Sequence, residues 1–88
     1  MKTKKGFLLR KMANEYMVIA IGSAADSLNG LIRLNETGAF YWRLLEKGAT
    51  KEELLDAAEK EMEDFDRSVA DEDLEEFIKS IEFAIDKP

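Results

Sequence analysis

The side chains in this chain that could do chemistry are almost all carboxylates. Glu59, Glu61, Glu63, Asp64 and Asp66 crowd one stretch, and Asp71 and Asp73 follow. A calcium loop would need a Gly at its centre and a Glu at its twelfth position, and this stretch has neither. It reads as a solvated helix end. Asp71 and Asp73 could form an acid–base pair, but nothing nearby is suited to tune them. They fit a helix start, where negative charge complements the dipole. The 88 residues contain no Cys and no His. That removes disulfides, thiolate and imidazole metal ligands, the Cys nucleophile and the His general base. The expectation is a protein that is not an enzyme, with no metal and no cofactor.

The net charge of −6 is unevenly placed. Residues 1–48 carry eight Lys or Arg against four Asp or Glu, and residues 49–88 carry five against fifteen. The second half would repel phosphate, so nucleic acid is not an expected partner. Lys2, Lys4 and Lys5 read as a solvated tail. The apolar runs are too short to span a membrane. Met1 to Lys5 starts like a signal peptide, but Arg10 and Lys11 break the apolar run and no cleavage site follows. A cytoplasmic protein is expected.

The elements that must position these residues fall into two textures. Phe7–Arg10, Glu15–Ile21 and Leu28–Leu34 read as three short strands in an antiparallel meander. Ala13-Asn14 suits a hairpin turn, and residues 22–27 suit a loop. Gly30 would weaken the third strand, and marks a bulge or a place where another backbone approaches. Asn35 or Thr37 caps a first helix that runs to about Glu46, with Gly48 closing it. Thr50-Lys51-Glu52-Glu53 is a capping box for a second helix, with Leu54, Ala58 and Met62 on its buried stripe. Asp66 or Ser68 starts a third helix, on which Ala70, Leu74, Phe77, Ile78, Ile81, Ala84 and Ile85 make one long stripe. Three large rings at Phe40-Tyr41-Trp42 cannot all face inward, so at least one belongs at a seam or a surface. The fold class is α+β: a winged-helix-like domain, a three-stranded antiparallel sheet followed by three helices (βββααα), in a single domain over residues 1–88.

The run Leu34-Asn35-Glu36-Thr37-Gly38-Ala39-Phe40-Tyr41-Trp42-Arg43-Leu44-Leu45-Glu46 resembles the signature of the PqqD family. Gly48 and the capping box Thr50 to Glu53 follow in the family's order. Upstream, Asn29 to Asn35 resembles the family's third strand, and Asp73-Leu74-Glu75-Glu76-Phe77-Ile78 resembles its last helix. The likeness runs over about residues 6–85. It departs at Met62, where members often carry Tyr, and at the C-terminal Phe83 to Pro88.

The resemblance implies a stand-alone recognition element for ribosomally synthesised precursor peptides. Such a domain holds the leader segment and presents it to a modifying enzyme, often a radical SAM maturase, without catalysis of its own. The leader adds as a strand to the third β-strand and lies against the third helix. An exposed strand with unpaired amides and carbonyls is a template for that addition. Here the template is Leu28, Asn29, Gly30, Leu31, Ile32, Arg33 and Leu34, with Gly30 admitting a second backbone. Phe77, Ile81 and Ala84 are expected to form an apolar floor, with Glu76, Ser80 and Phe83 at its rim. The same free edge could pair with a second copy, giving a homodimer. The alternative is a regulatory or structural winged-helix module that binds DNA or oligomerises. The acidic helices favour the peptide.

Overall fold

A computed structural model describes residues 1–27 and 32–87. Three strands form the main sheet: β2 (Phe7–Met12), β3 (Glu15–Ala20) and β4 (Ile32–Leu34), in the order β2-β3-β4 and antiparallel throughout. A two-residue turn at Ala13 and Asn14 joins the first pair, with Ala13 at φ 56°. The stretch between the second pair opens with a 3-10 helix, Gly22–Ser27. Three helices follow: α1 (Glu36–Lys47), α2 (Lys51–Glu61) and α3 (Arg67–Ser80). The expected α+β class, with a three-stranded antiparallel sheet and three helices, holds.

Register explains which side of the sheet meets the helices. Alternate residues of a strand face one way. Leu9 opposes Val18, and Val18 opposes Ile32. Phe7, Leu9, Val18, Ala20, Ile32 and Leu34 share the inner face and pack into or against the core. Arg10, Met17 and Arg33 lie in register on the other face. The helices complete the core with Trp42, Leu45, Leu54, Leu55 and Leu74, all essentially inaccessible. Of the three adjacent rings, Tyr41 and Trp42 are buried, while Phe40 is half-buried at the core's margin.

Each helix starts on a side chain that accepts an otherwise unpaired amide. Asn35 accepts from the Gly38 amide at 2.7 Å. Thr50 accepts from the Glu53 amide, and Glu53 accepts in return from the Thr50 amide. Asp66 accepts from the Ser68 and Val69 amides. Gly48, at φ 94°, ends α1 in a conformation that a side chain would resist.

Two features depart from the βββααα order. Residues 1–5 are not a solvated tail. β1 (Lys2–Thr3) pairs antiparallel with β5 (Ile85–Asp86), Lys2 opposite Asp86 and Thr3 opposite Ile85. The Lys4 amide donates to the Ala84 carbonyl, and the Ala49 amide to that of Met1. The third helix is also shorter than its apolar stripe. It stops at Ser80, a 3-10 turn takes Glu82–Ala84, and Ile85 enters β5. A tight turn and a strand bury Ile81, Ala84 and Ile85 at the same spacing a helix would. No helix among the described residues is long and apolar enough to cross a membrane.

Candidate binding groove

β4 pairs with β3 along one side. Among the described residues no strand pairs along its other side. β4 leads through Asn35 directly into α1, and the first turn of α1 lies against α3. Gly38 makes that approach feasible. A Cβ at Gly38 would lie 3.1 Å from Cε1 of Phe77, 3.3 Å from Oδ1 of Asn35 and 3.4 Å from Cβ of Leu34. One turn on, the Tyr41 and Phe77 rings pack with centroids 6.0 Å apart. The end of β4, the start of α1 and the middle of α3 therefore meet around one glycine.

A groove of about 720 Å³ opens at this junction and runs to the α2–α3 connection. Gly38, Tyr41, Ala70 and Phe77 line its inner part, and Met62, Phe65 and Val69 line its outer part. Glu63, Asp64, Asp66, Asp73 and Glu76 surround it, and no described Lys or Arg lines it. Asp66 is engaged by the α3 cap; the hydroxyl of Ser68 and the two cap amides hold its carboxyl below the usual range. Burial, and then the charge of Asp73, raises the Tyr41 phenol above its usual value. The phenol therefore stays neutral near physiological pH.

Arg67 and Lys51, two of the basic residues of the second half, are engaged elsewhere. Arg67 binds Asp56 and Glu59 at 3.0 Å and Glu52 at 3.1 Å. Lys51 bridges Asp71 and Glu75, which joins the start of α2 to α3. Its hydrogen bonds to those carboxylates raise its pKa, Asp71 contributing most. Glu75 therefore works on the α2 side of α3. Glu63, Asp64, Asp73 and Glu76 form no ion pair with any described residue.

The expected site residues divide accordingly. Leu28, Asn29, Gly30 and Leu31 lie outside the described residues. Ile32 and Leu34 are half-buried on the inner face of β4; Arg33 is exposed on the outer face, 3.9 Å from Glu15. Glu76, Phe77 and Ser80 line the groove. Ile81 and Ala84 do not: both are 0% exposed and belong to the core beneath. Ile81 continues the face of α3 on which Leu74 and Ile78 meet the core, and Ala84 follows it in the turn after the helix. Phe83 is half-buried against Phe7, with ring centroids 5.6 Å apart, and lies apart from the groove lining. Nothing in the sequence periodicity marked Gly38, Tyr41 or Phe65 as groove residues. The available signal was a glycine inside the first turn of a helix, and an apolar Phe65 within an otherwise acidic connection.

Comparisons place this geometry among known proteins. The family model described as coenzyme PQQ synthesis protein D (PqqD) matches residues 11–82. A solved structure described as TbiB1 in complex with the TbiA(beta) leader peptide superposes with a TM-score of 0.72. It is 24% identical, over 93% of this chain and 88% of that one. That likeness establishes the fold. No curated protein matches the chain.

Proposed function

The chain belongs to the PqqD family, and from that premise we propose that it is a non-catalytic module that captures the leader segment of a ribosomally synthesised precursor peptide and presents it to a modifying enzyme. The observation that carries this reading is the groove between the start of α1 and α3, beside a strand that, among the described residues, pairs on one side only. A leader added along β4 gains main-chain hydrogen bonds from the strand, and its inward side chains drop toward Phe77 and Tyr41. The structural relative's leader peptide supports the same kind of partner here. A radical SAM maturase is the proposed recipient, as the family resemblance implies. The capture takes place where such peptides are made, in the cytoplasm.

The acidic α2 and α3 do not suit a phosphate backbone, which weighs against a DNA-recognition helix on either. Pairing of two β4 edges in a homodimer would occupy the template and compete with the leader. The test is a fluorescence anisotropy titration with labelled leader segments of short reading frames encoded beside the gene. Saturable binding, lost on Ile32→Pro in a variant that still folds by circular dichroism, is the expected result. Undiminished binding to that folded variant would place the peptide elsewhere.

A further inference from the structure

The outer end of the groove has a chemistry that selects its occupant. Phe65 and Met62 are half-buried there and Val69 is 52% exposed, so the walls are apolar. Asp73, Glu76, Glu63 and Asp64 stand around them without a described cation. Tyr41, only 3% exposed, lines the inner part of the same groove, and its hydroxyl forms no hydrogen bond with any described residue. A purely apolar side chain would cover this end and desolvate carboxylates that have no partner. An acidic side chain would add like charge to four carboxylates. A long alkyl stem with a cation at its tip satisfies both surfaces, because Lys and Arg lay their methylenes on apolar ground and keep the charge at a polar rim.

We propose that the groove selects leader segments that place an Arg or Lys at this outer end, its stem against Phe65 and Val69 and its charge among Asp73, Glu76 and Glu63. This rests on the leader-capture reading above. Charge complementarity then supplies specificity that main-chain pairing along β4 does not.

A random dodecapeptide library displayed on phage tests this on the full chain. It is selected in parallel on the wild type and on the double variant Asp73→Asn/Glu76→Gln. Both changes remove unpaired negative charge, so melting no lower than wild type is expected. Wild type should enrich peptides with Arg or Lys beside alternating apolar residues. The double variant should keep the apolar alternation and lose the cation. An individual selected peptide should bind the variant about five- to tenfold more weakly at low salt, with a smaller gap at high salt. Apolar peptides selected without Arg or Lys enrichment would overturn the cation preference and leave peptide capture standing. No enriched peptide at all would overturn both.

Discussion

Gly38 and Phe77 meet where a Cβ on the glycine would lie 3.1 Å from the phenylalanine's Cε1. The contact fixes how closely α1 sits on α3, and Phe77 forms part of the groove's inner lining. Gly38→Ala would gain about 0.5–1 kcal/mol of helix preference. It would lose a similar amount, ~1 kcal/mol, by pushing the half-buried Phe77 ring aside. The melting temperature should therefore change little. Phe77 lines the groove, so a displaced ring alters the surface that meets the peptide, and affinity should fall severalfold. Isothermal titration and a thermal melt on the same variant check the two halves.

Arg67 gathers Glu52, Asp56 and Glu59 where α2 packs beside α3. Arg67→Ala leaves three carboxylates facing one another in a chain already at −6. The variant should melt below wild type at low salt and recover much of the difference as salt screens the repulsion. Equal losses at low and high salt would assign the effect to lost packing of the arginine stem instead.

The acid limit of stability should depend on Asp66. The Ser68 hydroxyl, followed by the cap amides, lowers its pKa in the folded state. A depressed folded pKa means the unfolded chain binds the proton more readily, so stability falls as the pH drops. The contribution is complete above the ordinary carboxylate range and is lost as pH falls through that range to the lower folded value. Asp66→Ala should melt below wild type at neutral pH, and the gap should narrow in acid. Lys51 and Tyr41 work in the opposite direction. Their pKa values are raised in the folded state, so their contributions are complete below their ordinary ranges and vanish as the pH climbs through the raised values. Thermal melts across pH read both limbs.

What the sequence made legible was local. The three helix starts at Asn35, Thr50 and Asp66 are written in residues within a turn of each cap. The β2–β3 hairpin is written in one dipeptide between two apolar runs. The β1–β5 ribbon is not local: it joins Lys2 to Asp86 through two-residue strands that no periodicity can reveal. α3 ends at Ser80, before that ribbon begins. Ile81 and Ala84 continue the buried stripe of Leu74 and Ile78 past the helix end, so the stripe that spacing reveals is core there rather than groove floor. The groove divides similarly. Glu76, Phe77 and Ser80 follow from one helix face. Gly38, Tyr41 and Phe65 come from α1 and the α2–α3 connection, and only tertiary packing brings them together.

Capture of a leader along β4 makes a direct demand on backbone amides. Alternate amides of β4 point to β3, where they are already bonded, and the others point outward. A strand added at that edge must bond the outward ones. Amide hydrogen exchange, resolved by residue and measured with and without a saturating selected peptide, reads this. Strong slowing of the outward amide or amides within Ile32–Leu34, together with protection around Phe77, is the predicted result. Saturating peptide that leaves exchange along β4 unchanged, or protects only residues such as Leu8 and Ile19 away from the groove, would contradict strand addition at this edge.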